Sequence, residues 1–310
     1  MDGDTLSMTA DCLAAASGSC LTAEQRAMLP SSLAILKNEH AFSKVFYWGR
    51  LQGIQGDYLI AQGLGQAIGD RKEAAIRTGG DLTVAEFFNN LNDIPKQFFR
   101  LGPDGVSWSL LPTVDQEASV AVAEWNLFLR NQGKVFTPLM GQASHKYEYT
   151  VKKVPEEGGE PTEEAKELSE EIRLAHMVSE IDTACSIVPV GAVILNSSQR
   201  VIVNPYYKGL SLSEGLKLDS FLHLRKPTET QKQPLTERAT LNKSTQFLDK
   251  VSLDTPTGCW SLKHDPPNNM IVLRSLLYPG YVHFSLVGTA IFGGGYSGNG
   301  SKNHDLAFML

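Results

Sequence analysis

The sequence has no long hydrophobic run and no amino-terminal export signal. Its longest apolar stretches, at residues 187–195 and 271–277, are far shorter than the ~20 residues that a membrane-spanning helix needs. The first residues include Asp2, Asp4 and Asp11, where a secretory signal needs positive charge. The chain is therefore expected to stay in the cytoplasm, with no membrane as its partner.

Positive charge is also scarce. The chain has 28 lysines and arginines against 34 aspartates and glutamates, which gives a formal net charge of −6. Nucleic-acid binding draws much of its affinity from cations that neutralise phosphates, so nucleic acid is not expected as a partner. Mild acidity instead favours solubility and a basic partner surface.

Cysteine pairs and clustered metal ligands are missing as well. The four cysteines, Cys12, Cys20, Cys185 and Cys259, are scattered without a C-x-x-C pair, which fits a reducing compartment. The seven histidines form neither an H-E-x-x-H motif nor a pair four residues apart that could hold zinc. The sequence therefore predicts no disulfide framework, no metal site and no cofactor.

Two motifs leave an alternative open, namely a soluble cytosolic enzyme or nucleotide-binding protein. Cys259, which could meet His264 across a hairpin, and Cys185 are candidate thiol nucleophiles, although free cysteines are more often buried in a core. Gly63, Gly65 and Gly69 follow a predicted strand, but their G-x-G-x-x-x-G spacing differs from the G-x-G-x-x-G dinucleotide fingerprint. Turn glycines and a core cysteine explain both motifs better, so no catalytic residue is predicted.

Local patterns predict an α+β fold with N-terminal helices, β-hairpins and a mostly antiparallel sheet with flanking helices. A capping box at Thr22 and Gln25 opens a helix over residues 22–40, although Pro30 argues against one unbroken helix. Alternation in KVFYWGRLQGI and DYLIA, joined by a turn at residues 55–56, predicts a β-hairpin with Val45, Tyr47 and Leu51 on one side.

The remaining segments continue this mixed pattern. Weak periodicity predicts a helical excursion within residues 66–100, and clear periodicity predicts a helix over residues 117–130. Strands are predicted at residues 187–195 and 201–204, followed by a β-meander that ends in a glycine-rich loop at residues 292–302.

The strongest change in composition divides the chain into three parts. Residues 1–153 form a helical segment with the hairpin, residues 154–170 form an acidic loop leading into a helix that runs to about Cys185, and residues 171–310 form an α+β part with the meander. All three could belong to one continuous domain. The acidic pairs Glu163-Glu164 and Glu170-Glu171 are expected to be solvated.

The hairpin sequence FYWGRLQGIQGDYLIAQGL, residues 46–64, resembles a pattern of the ciliary radial spoke head proteins, aromatic-W-G-[RK]-[IL]-x-G-x-x-x-D-Y-x-I-A-[QE]-G. Further matching blocks follow in order: VSWSLLP, HKYEYT, IDTACSIVPVGAV, YKGLSLSEGLKL, FLHLRKP, FLDKVSLDTPTGCWSL, VLRSLLYPG and GSKNHDLAFML. They cover nearly the whole chain. Extra residues at about 66–103 and 127–144 depart from the pattern and leave lineage-specific contacts open.

The resemblance implies a non-enzymatic scaffold of the cilium or flagellum, located in the axonemal cytoskeleton. Its implied partners are the spoke head 4/6 proteins, other head subunits and, by transient contact, the central-pair projections. No catalytic residue transfers from the family.

Candidate structural or interaction residues are those that match the hairpin signature and the apolar side chains at the C-terminus. They are Trp48, Gly49, Arg50, Asp57, Tyr58, Leu306, Phe308 and Leu310. In the hairpin, Trp48 is expected to pack, Gly49 to permit close backbone approach and Arg50 to pair with Asp57. The C-terminal residues are expected to dock on the fold or on a partner as a latch.

Overall fold

The computed structural model describes residues 1–42, 44–64, 96–153, 162–195, 201–225, 227–232, 234, 236, 242 and 244–309. The helices are α1 (Leu6–Ser17), α2 (Ala23–Glu39), α3 (Gln116–Asn131), α4 (Glu170–Cys185), α5 (Leu212–Gly215), α6 (Glu229–Lys232) and α7 (Leu306–Met309). The strands are β1 (Lys44–Leu51), β2 (Tyr58–Leu64), β3 (Lys96–Leu101), β4 (Trp108–Leu110), β5 (Lys146–Lys153), β6 (Thr162–Ser169), β7 (Ile187–Pro189), β8 (Val193–Leu195), β9 (Val201–Val203), β10 (Phe221–His223), β11 (Trp260–Asp265), β12 (Met270–Ser275), β13 (Tyr281–Leu286) and β14 (Phe292–Gly298). The predicted α+β class is confirmed.

An eight-stranded sheet joins the two ends of the sequence. Its strand order is β11-β12-β13-β14-β1-β2-β3-β4, and every neighbouring pair is antiparallel except β14 and β1. The predicted meander is therefore present as β11 to β13, and one parallel pairing attaches it to the N-terminal hairpin. None of the helices in the described residues is long and apolar enough to cross a membrane.

Strand β14 corrects the prediction of a glycine-rich loop at residues 292–302. Its residues Gly293, Gly294 and Gly295 pair with β13 in the middle of the sheet. Glycine is unfavourable in strands because it packs no side chain. Here larger neighbours take that space, since a Cβ on Gly293 would lie 3.0 Å from the Phe284 ring and one on Gly295 would lie 3.3 Å from Leu13.

The sheet has a hydrophobic cluster on each side. Helices α1 and α2 cover one side with buried residues such as Leu13, Leu29 and Leu33. Helix α4 packs on the other side through Leu174 and Val178. The sheet is thus buried between two layers, which explains why its strands are apolar on both faces.

Helix α2 forms as predicted, except that Pro30 does not interrupt it. Both hydrogen bonds of the capping box between Thr22 and Gln25 are present. A proline inside a helix costs roughly 3 kcal/mol. Because Leu29 and Leu33 on either side of Pro30 are buried against the sheet, tertiary packing offsets this cost and the helix continues to Glu39.

A β-bulge lies in β1 of the predicted hairpin. Tyr47 and Gly49 pair with successive residues of β2, which leaves Trp48 as an extra residue between them. A bulge reverses the alternation of sides along a strand. Val45 and Tyr47 therefore belong to the cluster under α1 and α2, whereas Leu51 joins Trp48 under α4, so the prediction that all three share one side is wrong for Leu51.

Several segment predictions are corrected. Residues 162–169 form β6, which pairs with β5, rather than a loop entering a helix, because Leu168 and Lys166 lie opposite Tyr147 and Tyr149 in an antiparallel ladder. Residues 96–100 form β3 instead of the end of a helical excursion, whose other residues lie outside the described ones. The single strand predicted at 187–195 is two short strands, since Gly191 adopts a positive φ of 83° between them.

Other segment predictions are confirmed. Helix α3 occupies residues 116–131, and helix α4 ends at Cys185. The division of the chain into three parts stays a prediction.

Candidate functional site

The signature residues of the hairpin meet helix α4 at two buried carboxylates. Trp48 donates its indole N–H to Asp182 Oδ1 over 3.2 Å, and Lys96 Nζ lies 2.7 Å from Asp182 Oδ2. The Asp182 side chain is 8% exposed, so most of its surface is removed from water. A buried carboxylate is tolerated only when donors surround it, and here Trp48 from β1 and Lys96 from β3 supply them.

Glu170, at the start of α4, is the second of these carboxylates and is fully buried. Tyr58 donates to its Oε1 over 3.0 Å, and the backbone N–H of Gly141 donates to the same oxygen over 2.8 Å. Its Oε2 accepts from the backbone N–H of Met140 at 3.2 Å and from the Tyr147 hydroxyl. One carboxylate thus connects β2, β5, α4 and the loop that precedes β5.

The two phenols that bind Glu170 remain protonated at neutral pH. Burial and the adjacent Glu170 carboxylate raise the pKa of Tyr58 well above its usual range. The same two causes raise the pKa of Tyr147 to about 12. Arg173 packs its guanidinium 5.0 Å from the centre of the Tyr147 ring, which places a cation beside this network.

Gly49 allows β1 to approach β14 closely. It pairs with Tyr296 in the parallel ladder and has a φ of 153°. A Cβ at this position would lie 2.2 Å from the carbonyl oxygen of Tyr296, a distance that real side chains do not reach. The expected close backbone approach is therefore present, and only glycine fits it.

Arg50 makes the predicted pair across the hairpin and also binds two further elements. Its Nη1 lies 3.8 Å from Asp57 Oδ2, and its Nη2 donates to Ser19 Oγ at 2.7 Å and to Ser297 Oγ at 3.2 Å. Ser19 lies between α1 and α2, and Ser297 is in β14. Arg50 therefore ties the hairpin to both, and the Asp57 contact is the longest and most exposed of the three.

The C-terminal candidates separate into one buried and one exposed residue. Leu306 is 4% exposed and packs in the cluster under α4. Phe308, in the same turn of helix α7, is 90% exposed. Leu310 lies outside the described residues. Docking on the chain's own fold is thus present for Leu306, and the latch function of Phe308 stays a prediction.

The burial of both α4 carboxylates, Glu170 and Asp182, was not predicted from the sequence. The prediction that Glu170 is solvated is wrong because the side chain is fully buried. A signal was present, since Glu170, Leu174, Val178 and Asp182 recur every four residues and therefore share one helical face. Two acids on an otherwise apolar face indicate buried donors opposite them.

The positions of Cys259 and His264 do not support a thiol nucleophile. Cys259 directly precedes β11 and His264 lies near the end of the same strand, so at about 3.3 Å per residue they are well separated and do not meet across a hairpin. Burial raises the pKa of Cys259 to about 11 and that of Cys185 further. Among the described residues, no three metal-binding side chains come together.

Gly63, the first glycine of the predicted nucleotide site, lies in strand β2. Gly63 pairs with Val45 and Gln97 inside the sheet, and a Cβ there would lie 2.5 Å from the Phe42 ring. This glycine therefore makes room for an aromatic side chain instead of opening a phosphate loop. Gly65 and Gly69 lie outside the described residues.

Comparison with known proteins identifies the relatives of this chain. No protein-family model matches it. The human protein named radial spoke head protein 9 homolog is 34% identical over 312 residues, and the zebrafish protein of the same name (Danio rerio) is 37% identical over 314 residues. The Xenopus tropicalis protein, again of this name, is 34% identical over 312 residues. Each alignment covers 100% of both chains. Because this similarity runs from end to end, the chain belongs to the radial spoke head protein 9 family, components of the radial spoke head in ciliary and flagellar axonemes.

Proposed function

We propose that this chain is a non-catalytic structural subunit of the radial spoke head. In this role it assembles with the spoke head 4/6 proteins and other head subunits, and the completed head contacts the central-pair projections and supports motility. The observation that carries the proposal is the end-to-end relationship with proteins named for the spoke head.

The geometry of the signature residues supports a structural role. Trp48 and Tyr58 bind carboxylates that are buried inside the fold, and Gly49 contacts the backbone of β14. These residues stabilise the sheet that carries the remaining surface. Within the hairpin signature, the side chains that a partner can reach are those of Arg50 and Asp57, which are 21% and 39% exposed.

Deletion of the gene in a ciliated host tests this proposal. Cilia without the protein are expected to assemble but to beat abnormally, with spoke heads that are incomplete in electron micrographs. Re-expression of the wild-type chain should restore both properties. Intact heads and normal beating after a clean deletion would falsify the structural role.

Affinity isolation from axonemes tests the partners. A tagged chain should recover the spoke head 4/6 proteins in a fixed ratio after spokes are extracted. Recovery of the chain without them, from axonemes in which spokes are intact, would contradict the proposed assembly while leaving the location in the axoneme standing.

A further inference from the structure

A groove of about 600 Å³ lies beside helix α3, and none of the signature residues of the hairpin lines it. Val120 and Tyr149 contribute its apolar part, and Glu117, Glu124, Lys166 and Glu167 contribute its charged part. The helix binds the β5–β6 pair through Trp125, whose ring centre lies 5.0 Å from that of Tyr147. The groove is therefore built on a packed module and not on a loop.

Three exposed residues of α3 are apolar, at positions where a solvated helix usually carries polar side chains. Val120 is 50% exposed, Leu127 is 59% exposed and Ala123, between them, is exposed too. These residues recur at steps of three and four, so they form one stripe along the helix. Such a stripe, adjoining a groove, is typical of a surface that another chain covers.

Among the described strands, β6 pairs only with β5, and its other edge lies beside the same groove. The backbone N–H of Glu170 donates to the carbonyl of His145 over 2.9 Å, which fixes the alternation of bonded and non-bonded pairs between β5 and β6. The main-chain groups of Ala165 and Glu167 consequently point away from β5. Because Glu167 lines the groove, this edge, which no other described strand covers, lies beside it. An open edge is a template for an added strand.

Charge decides what kind of segment fits. The groove is lined by three glutamates and one lysine, a formal charge of −2. Lys166 is already paired with Glu124, at 2.8 and 3.0 Å from its two oxygens. Glu167 pairs with the exposed Lys146 over 2.8 Å, and within the part of the chain that the structure describes Glu117 has no ion pair. The groove thus offers carboxylates to incoming cations, and a second copy of this acidic chain is a poor match.

We propose that this groove binds an extended, basic segment of another spoke head subunit, which adds as a strand to the edge of β6. Its apolar side chains rest on Val120 and its lysines or arginines meet Glu117 and Glu167. This inference rests on the proposed function for the identity of the assembly. It adds the surface and the chemistry of the partner.

Site-specific photo-crosslinking in purified axonemes tests the proposal. A photoreactive amino acid replaces Val120, and a matched control replaces Met8, which is 72% exposed on α1. The crosslinked peptide is identified by mass spectrometry. The expected result is a segment of another subunit with net positive charge, recovered at Val120 and not at Met8. Crosslinks at Val120 to a second copy of this chain, to a neutral or acidic segment, or to nothing above the Met8 background would overturn it.

A charge-reversal pair separates electrostatics from folding. Glu117→Lys with Glu167→Lys should lower the crosslink yield at Val120 at least tenfold, whereas Glu24→Lys with Glu39→Lys, an equal change at exposed positions on α2, should leave it unchanged. Urea unfolding of all proteins checks that the variants fold. An undiminished yield in the groove variant would rule out the acidic recognition.

Hydrogen exchange distinguishes strand addition from simple side-chain contact. A synthetic peptide of the crosslinked segment should slow exchange at the amides of Ala165 and Glu167 in the wild-type chain. Unprotected amides in the bound state would overturn the strand addition. If the chain is absent from isolated spoke heads, the proposed function fails, yet a basic segment crosslinked elsewhere in the axoneme still supports the groove.

Discussion

Helices α3 and α4 both carry glutamate, but in opposite surroundings. Glu170 on α4 is fully buried and accepts hydrogen bonds from two phenols and two backbone amides. Glu117 on α3 is exposed and lines an open groove. A buried carboxylate without donors is costly, whereas an exposed one contributes little to folding. The comparison separates the buried contacts of the hairpin, in which Trp48 and Tyr58 bind carboxylates of α4, from the open groove that we propose as a partner surface.

The largest expected effect concerns the buried member of this comparison. Glu170→Ala leaves the Tyr58 and Tyr147 hydroxyls and the Gly141 amide without their acceptor, so it should lower the free energy of unfolding by roughly 3–5 kcal/mol. Urea unfolding followed by tryptophan fluorescence measures the loss. The control is Glu171→Ala, whose side chain is 38% exposed and pairs with Arg100, and it should cost at most about 1 kcal/mol. An equal decrease in the free energy of unfolding of both variants would contradict the prediction that the buried carboxylate contributes more to stability than the exposed one.

A second variant tests the close backbone contact between Gly49 in β1 and Tyr296 in β14. Gly49→Ala places a Cβ against the Tyr296 carbonyl and should cost roughly 2–4 kcal/mol, because β1 and β14 must separate or strain to admit it. Gly133→Ala is the matched control, since Gly133 has a φ of 74° but open space around its Cα, and it should cost only about 1 kcal/mol. Thermal unfolding compares the two. A Gly49 variant as stable as the control would show that the ladder tolerates a side chain.

The pH dependence of the free energy of unfolding tests the burial of His283. His283 is buried between Phe221 and Phe292, and burial lowers its pKa from 6.5 to about 3. Between these values the unfolded chain binds a proton that the folded chain does not. The contribution of His283 to stability should therefore be complete above about pH 6.5 and fall toward pH 3 by up to ~1.4 kcal/mol per pH unit.

Urea unfolding of wild type and His283→Phe at several pH values measures this contribution. The variant lacks the titrating group and should lose less stability on acidification. The α-amino group of Met1, whose pKa burial lowers to about 5, adds a loss of the same sign to both proteins. Parallel curves for the two proteins would exclude His283 as the cause.

The smallest expected change in folding belongs to the exposed surface. Phe308→Ser should alter the free energy of unfolding by no more than about 0.5 kcal/mol, because the side chain is 90% exposed. If Phe308 is part of a subunit latch, the same variant should recover less of the other head subunits from axonemes. Leu306→Ala, two residues away and buried, is the contrasting control and should cost roughly 2–5 kcal/mol. Unchanged subunit recovery with Phe308→Ser would exclude the latch.

The sequence predicted the elements whose signals are local. The capping box at Thr22, the periodicity of α3 and the alternation of the hairpin each depend on residues near one another, and all three elements are present. What it could not supply depends on distant partners. A run such as FGGGYSG has the composition of a loop. It forms a strand because Phe284 and Leu13 occupy the space beside Gly293 and Gly295, and because Gly49 lets β1 pair closely with Tyr296.

The same limit applies to the candidate site. The pairing of Arg50 with Asp57 and the need for glycine at position 49 followed from the hairpin alone. The acceptors of Trp48 and Tyr58 did not, because Asp182 and Glu170 lie more than a hundred residues further along the chain. Acidic composition around residue 170 indicated solvent, whereas the helical spacing of Glu170 with Leu174 and Val178 places Glu170, and not Glu171, at the core.

The parallel ladder between β1 and β14 has a consequence for how the protein is made. Strands β1 and β2 leave the ribosome early, yet the neighbour that covers the outer edge of β1 begins only at Phe292. For most of synthesis, the main-chain groups on this edge of β1 therefore have no strand to pair with. An unpaired apolar strand favours association with other chains. A message truncated before this point would therefore yield a product with an open edge in the middle of its sheet, prone to aggregation and to removal by cellular quality control.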